Sequence, residues 1–278
     1  MQALRKILQT IVALVQRIHR QDMWGLAAQT TFFLMLSVYP LLLFFVSLMY
    51  QTGNELTNDT LHIVLPGDVA SDIVEEITQA SRLGGQWSLL AVIVSTWAAS
   101  TGVWALMRGI HRAYHEKRMA SPVRYRILAL IFTFAFGIVM VISMFVLIFG
   151  RQAAQFISNQ LGTENFAMTP GVRILVMLGV LSGFLTLLYR FTPGVGGKLR
   201  THVLGAFIAA MAWIASAFVY EAYMNNFDPY SSIYGGIGAF LGLMVWVFIL
   251  CLIVLAGAEI NAYRRELTAK QRKNGVSL

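Results

Sequence analysis

Six long apolar stretches, each with few or no charged side chains, constrain this chain more than any other feature. A helix rises about 1.5 Å per residue, so about 20 apolar residues are needed to cross the hydrocarbon core of a bilayer. The composition agrees, because 57% of the residues are hydrophobic and only 12% are charged. We therefore predict an all-α, polytopic membrane protein with six transmembrane helices in a single membrane domain, residues 1–278. The predicted spans are 30–50, 87–107, 127–149, 174–189, 203–224 and 237–258.

The basic residues alternate along the chain in the way that six spans require. Lys and Arg are enriched in the cytoplasmic segments of membrane proteins. Of the 21 basic residues, 18 lie before the first span, between the second and third, between the fourth and fifth, or after the sixth. The other connections hold most of the acidic residues. We predict that the N and C termini are cytoplasmic, and we interpret the net charge of +8 as a topology signal.

Amphipathic segments lie outside the predicted spans. Residues 1–22 place apolar and basic side chains on opposite helix faces, which predicts an interfacial helix on the cytoplasmic side. Residues 68–82, within the predicted extracytoplasmic loop 51–86, predict an outer-surface helix. That helix either covers the ends of the spans or acts as a gate or docking element. Residues 259–278 form a basic cytoplasmic tail.

Small residues at helical spacing predict where the spans pack closely. Gly205 and Ala209 begin such a stripe in the fifth predicted span, and Gly179 and Gly183 form another in the fourth. In lipid, small side chains let helix backbones approach each other. We interpret both stripes as packing surfaces.

Two carboxylates at membrane depth are the first candidates for a functional site, because an ionisable group there is costly and tends to face a partner or a wet cavity. Glu221, near the outer end of the fifth span, either reaches interfacial water or lines an outward-facing cavity. Glu259, at the cytoplasmic end of the sixth span near Asn261, either pairs with Arg264 or another cytoplasmic loop, or binds a cation or proton. We expect the connection 227–238 to be a turn, either re-entrant or interfacial. The substrate-cavity candidates are Glu221, Asn225, Asn226, Tyr230, Tyr234, Gly235 and Gly238.

The sequence contains no catalytic motif. His111 and His115 lie one helical turn apart and are followed by Glu116, but no third ligand is near them in the sequence. Gly-x-Ser-x-Gly, Cys-x-x-Cys and a phosphate-binding glycine loop ending in Lys-Ser/Thr are absent, and Cys251 is the only cysteine. We expect a protein that is not an enzyme and that needs no metal or cofactor.

Five motifs are spread over the whole chain, at 27–40, 102–114, 189–193, 230–238 and 257–262. The last two are the most specific: Tyr-Ser-x-x-Tyr-Gly-x-Ile-Gly, and Gly-Ala-Glu-Ile-Asn-Ala. Together they resemble the YihY/BrkB family of bacterial inner-membrane proteins. Ile260 and His111 depart mildly from the pattern, which has Leu and Asn at those positions.

The resemblance implies a multi-pass protein of the bacterial cytoplasmic (inner) membrane. The family is linked to envelope integrity and serum resistance, and its members have been proposed to move lipids or lipopolysaccharide precursors. An older family label, ribonuclease BN, finds no support in the motifs of this chain. We predict transport or flipping of a lipid or envelope precursor, with a non-transporting envelope-integrity scaffold or a small-solute channel as alternatives. The expected partners are membrane lipids, with envelope-assembly proteins or a second copy of the chain as open alternatives, and no nucleic acid.

Overall fold

A computed structural model describes residues 16–17, 20–51, 85–114, 121–161, 170–226 and 228–273. Within these ranges the regular secondary structure is helical, without strands. A short 3-10 helix, Leu199–Thr201, precedes α5. The α-helices are α1 (Met23–Gln51), α2 (Gly85–Ala113), α3 (Pro122–Leu161), α4 (Pro170–Phe191), α5 (Val203–Asn226) and α6 (Asp228–Lys273).

Each predicted span lies within one of these helices, so the prediction of an all-helical membrane protein is confirmed. Within the described residues, four helices contain a stretch that is long and apolar enough to cross a membrane. The count of six spans and the side of each terminus stay predictions. The four stretches are Pro122–Met140 in α3, Gly171–Phe191 in α4, Val203–Tyr223 in α5 and Phe240–Ala269 in α6.

Local sequence signals explain where several helices begin. Pro122 and Pro170 are the first residues of α3 and α4, a position where the missing N–H of proline costs no helical hydrogen bond. The Ser121 hydroxyl accepts a hydrogen bond from the Arg124 N–H at 3.3 Å, which caps the first turn of α3. Before α1, Asp22 has a φ of 53°, a left-handed conformation that Asp tolerates better than most residues.

The predicted turn at 227–238 is wrong from Asp228 onward, because α6 begins there and continues through the Tyr- and Gly-rich segment. Backbone groups at membrane depth need hydrogen-bond partners, and a continuous helix supplies them even where glycine would favour a turn in water. Tyr230, Tyr234 and Gly238 are therefore spaced four residues apart on one side of the first turns of α6.

The predicted outer-surface helix 68–82 lies outside the described residues. Of the predicted interfacial helix 1–22, the structure shows helical conformation at Gln16, Arg17 and Arg20.

The described residues divide into two compact units. Unit 1 comprises Met1–Met23, Met107–Ala215 and Ile253–Leu278, and unit 2 comprises Trp24–Leu106 and Ser216–Leu252. In unit 2, α1 and α2 approach closely at Gly102, where an added Cβ would lie 3.2 Å from the Thr30 carbonyl oxygen. The core of unit 1 includes Met107, Ile110, Leu185, Leu188, Tyr189, Val254 and Leu255.

In unit 1, α5 and α6 cross with their backbones in direct contact at Gly205 and Gly257. A Cβ added to Gly257 would lie 2.7 Å from the Gly205 carbonyl oxygen and 2.8 Å from the Ala209 Cβ. A Cβ added to Gly205 would overlap the Gly257 carbonyl oxygen and the Asn261 side chain. The stripe that begins at Gly205 therefore packs as predicted, whereas a Cβ at Gly179 would meet nothing within 4 Å among the described residues.

Replacing Gly205 by alanine should destabilise the protein by about 1–3 kcal/mol, because the new methyl group forces α5 and α6 apart. Thermal unfolding in detergent micelles, followed by tryptophan fluorescence, measures the change. Gly179→Ala is the matched control and should leave the midpoint unchanged or slightly raised, since alanine favours a helix more than glycine does. Equal effects of the two substitutions would contradict the close crossing.

Candidate functional site

The segment that follows α4, residues 192–198, is the centre of a buried polar cluster in unit 1; we call it the α4–α5 loop. The sequence predicts that Pro193 stops α4, and the helix ends at Phe191. Gly194, Gly196 and Gly197 have φ values of 92°, 54° and 100°. Glycine adopts this left-handed region without the steric penalty that a Cβ brings, so the three glycines allow the chain to turn sharply here.

Side chains from two helices hold the Pro193 carbonyl of this loop. The Pro193 oxygen accepts a hydrogen bond from the His111 Nδ1–H of α2 at 2.9 Å and another from the Tyr125 hydroxyl of α3 at 3.1 Å. A carbonyl only accepts, so the His111 Nδ1 carries the proton. The two rings also meet edge to face, with centroids 6.2 Å apart. Pro193 is thereby bound to both α2 and α3.

Two further carbonyls of the loop are held in the same way. The Val195 oxygen accepts from the Arg265 Nη1 of α6 at 2.9 Å, and the Gly196 oxygen accepts from the His202 Nε2–H at 3.0 Å. The other ring nitrogen of His202 then accepts from the Tyr114 hydroxyl at 2.8 Å. Every one of these donors comes from outside the loop.

The charge state of His202 follows from this environment. Burial lowers the pKa of His202 from its ordinary value, and the positive charges of Arg190 and Arg265 lower it further, against the hydrogen bond to the Gly196 carbonyl. Burial raises the pKa of Tyr114, so its hydroxyl keeps its proton and donates to His202. The cluster is therefore built around a neutral imidazole.

Asn261 joins α6 to the start of α5. Its Oδ1 accepts from the Gly205 N–H at 2.8 Å, and its Nδ2 donates to the His202 carbonyl at 2.8 Å. The first turn of a helix has amide groups without intrahelical partners, which a capping side chain normally satisfies. In α5 the cap comes from another helix, and the amide side chain offers the acceptor and the donor that these two backbone groups need.

Glu259 is fully buried and forms an ion pair with Arg17, whose Nη1 lies 3.0 Å from its Oε1. Arg17 also donates through Nη2 to Glu266 and lies over the Tyr263 ring, 5.2 Å from its centroid. The hydrogen bond to Glu266 and the contact with Glu259 raise the pKa of Arg17. The ion-pair alternative for Glu259 is thus the observed one, with a partner from the N-terminal segment and not Arg264.

Glu221 differs from Glu259 in every respect. It is exposed, and it lies on α5 within the stretch Val203–Tyr223, which could cross a membrane. Its neighbours in unit 2 are aromatic: Tyr220 stacks on Trp246 with centroids 4.7 Å apart, and Tyr223 lies 6.5 Å from Tyr220.

The other cavity candidates are only partly described. Gly238 is half-buried on α6. The backbones of the rest are helical, but their side chains lie outside what the structure describes: Asn225, Asn226, Tyr230, Tyr234 and Gly235.

The His111 ring belongs to this cluster, because its Nδ1–H donates to the Pro193 carbonyl. His115 and Glu116 lie outside the described residues. Among the residues that are described, no group of three or more His, Cys, Asp or Glu side chains could hold a metal ion.

Sequence reasoning missed four members of the cluster. Tyr114 ends one of the family motifs, so its position was visible but its role was not. Tyr125 and His202 belong to no motif, and Arg265 was interpreted only as a topology charge. The partners of these side chains are 68 to 88 residues away in the chain, apart from the nearby Gly196, and no local pattern reveals such pairs.

Comparison with known proteins agrees with the membrane fold. A family model described as virulence factor BrkB matches residues 14–277. The ribonuclease-like protein YfkH of Bacillus subtilis is 30% identical over 247 residues, which cover 85% of this chain and 88% of the relative. A UPF0761 membrane protein of Haemophilus influenzae is 23% identical over 252 residues, covering 87% of this chain and 89% of that protein. Another, from Psychromonas ingrahamii, is 29% identical over 116 residues, or 41% and 40% of the two chains. No solved structure matches.

Lowering the pH should destabilise the protein through His202. Its folded pKa lies below the unfolded value of about 6.5, so the stability it contributes is present above about pH 6.5 and is lost as the pH falls through the folded pKa. We expect the unfolding midpoint of the protein to fall more between about pH 7.5 and pH 5 than that of His202→Gln, which does not titrate. Parallel pH profiles for the two proteins would rule out this role of His202.

Proposed function

The chain belongs to the virulence factor BrkB family, as its motifs predicted, and from this premise we propose that it moves a lipid or envelope precursor across the bacterial cytoplasmic membrane. We further propose six spans with both termini in the cytoplasm. The distribution of basic residues supports this orientation, and each predicted span lies within a helix of suitable length.

The exposed carboxylate of Glu221 carries the proposal. An ionisable side chain that faces hydrocarbon is costly, so such groups tend to face water or polar partners. Glu221 is exposed on a helix that could span the membrane, so its carboxylate needs water or polar groups around it. A polar region at the outer end of α5 would receive the headgroup of an amphiphile, and Tyr220 and Trp246 add amphipathic rings that suit an interface.

We propose a positioning role for Glu259 and Asn261, the candidates at the cytoplasmic end. Glu259 is buried in its pair with Arg17, and both polar atoms of the Asn261 amide bind the backbone around the start of α5. Neither side chain is open to a substrate in this conformation. In transport, these two residues would keep the crossing of α5 and α6 fixed while other parts of the protein move.

A non-transporting scaffold is the second candidate function. The ion pair of Glu259 and the hydrogen bonds of Asn261 favour a scaffold, because a scaffold needs a fixed cytoplasmic end and no substrate pathway there. Partners would bind the basic tail or the predicted outer-surface segment 68–82.

We propose no ribonuclease activity, although the Bacillus subtilis relative is named ribonuclease-like. RNA hydrolysis by metal-dependent enzymes uses clustered carboxylates or histidines. Among the described residues, no group of three or more His, Cys, Asp or Glu side chains could hold a metal ion.

Transport is tested by reconstituting the full chain into proteoliposomes with fluorescent phospholipids and measuring the fraction of label that becomes accessible to a membrane-impermeant quencher. Glu221→Gln should slow exchange about fivefold, as expected for the loss of one charge near the headgroups. The matched control is Asp22→Asn, which removes an exposed carboxylate outside the candidate spans and should leave the rate unchanged.

A rate equal to that of empty vesicles would overturn the transport proposal. Recovery of one constant crosslinked partner from cells would then support the scaffold. Exchange that is unaffected by Glu221→Gln would keep transport but remove Glu221 from its pathway.

A further inference from the structure

Two amides of the α4–α5 loop, those of Gly196 and Gly197, are turned away from the polar cluster. The carbonyls of Pro193, Val195 and Gly196 are all held by side chains from outside the loop. In a trans peptide the N–H points opposite to the C=O, and the described residues contain no cis peptide bond. The amides that follow these carbonyls, including those of Gly196 and Gly197, therefore point away from the donors. Within the described chain no protein acceptor binds either of these two amides.

The same surface is positively charged. Lys198 and Arg200 are exposed, and no Asp or Glu lies between 190 and 202. The two glutamates of α6 that belong to unit 1, Glu259 and Glu266, both bind Arg17. The charges of the loop surface are thus not matched by the described carboxylates of α6.

Apolar side chains flank this surface at the depth where lipid headgroups lie. Phe191 is 50% exposed and Leu199 is 48% exposed. The loop connects two stretches that could cross a membrane, Gly171–Phe191 and Val203–Tyr223, so it lies at the interface between hydrocarbon and water. A ligand that fits here has an anionic group for the loop and hydrocarbon for the flanking side chains.

We propose that the α4–α5 loop binds the phosphate of an anionic membrane lipid. The amides of Gly196 and Gly197 donate to the phosphate oxygens, and Lys198 and Arg200 neutralise its charge. Outward-pointing amides beside a turn with positive φ form concave donors that suit anions. This contact concerns a lipid bound at the loop, and it does not depend on whether the protein transports lipids.

Other exposed basic residues of unit 1 provide a matched contrast. Arg124 and Arg264 are exposed like Lys198 and Arg200, but they lie within α3 and α6. The Arg264 amide lies well inside α6 and is engaged in its helical hydrogen bonds, and the Arg124 amide, in the first turn of α3, donates to the Ser121 hydroxyl. If charge alone attracted anionic lipid, the two pairs of residues would contribute equally.

The test uses the full chain, purified in detergent and titrated calorimetrically with short-chain phosphatidylglycerol, short-chain phosphatidylcholine or inorganic phosphate. We expect phosphatidylglycerol to bind more tightly than the other two probes. The double variant Lys198→Gln/Arg200→Gln should weaken its binding about tenfold, since each charge near the headgroup contributes. Arg124→Gln/Arg264→Gln should change it by no more than about twofold, as exposed and screened charges do.

The charge-conserving variant Lys198→Arg/Arg200→Lys separates binding from folding, because it should bind phosphatidylglycerol as the unchanged protein does. Equal weakening by the loop pair and the control pair would overturn the proposal in favour of general charge attraction. Inorganic phosphate that binds as tightly as phosphatidylglycerol would also overturn it, because the site would then take free phosphate and make no use of Phe191 and Leu199.

Discussion

The side chain of Asn261 connects α6 to the first turn of α5, and the other contacts of the polar cluster depend on that connection. It binds the Gly205 amide and the His202 carbonyl. At this point α5 and α6 cross so closely that a side chain at position 205 would have no room. With His202 fixed, its ring reaches the Gly196 carbonyl on one side and Tyr114 on the other. Arg265, one turn beyond Asn261 on α6, donates a hydrogen bond to the Val195 carbonyl. Together with His111 and Tyr125, which bind the Pro193 carbonyl, these contacts order a loop that glycine alone would leave free to adopt many conformations.

The sequence made both Glu221 and Glu259 candidates for a functional site, but the two carboxylates lie in different environments. Glu259 is buried and neutralised by Arg17, which binds the N-terminal segment to α6. Glu221 is exposed on α5 in a region with stacked aromatic rings. Breaking the buried pair of Glu259 and Arg17 would leave a charge in a medium of low dielectric, so this pair resists change. The exposed carboxylate of Glu221 is accessible to ligands. Residues of the same type are thus buried in an ion pair at one position and exposed on a candidate span at the other.

The helices were predictable from the sequence because the length and hydropathy of a span are local properties. The packing of Gly205 was predictable for the same reason, since its stripe follows helical spacing. The turn expected at 227–238 is wrong from Asp228 onward, because the tendency of glycine to form turns weakens where the backbone must bond to itself. The Arg17 partner of Glu259 and the partners of His202 lie far away in the chain. Only the folded arrangement brings those residues together.

Hydrogen exchange at the Gly205 amide tests most directly whether α6 caps α5. This amide is buried and donates to Asn261 in the described structure. Comparing the unchanged protein with Asn261→Ala, the account predicts that exchange of the Gly205 N–H becomes about tenfold faster or more, because the amide loses its acceptor and the first turn opens more often. An exchange rate that is the same in both proteins would contradict the capping role of Asn261 and, with it, the order of the loop.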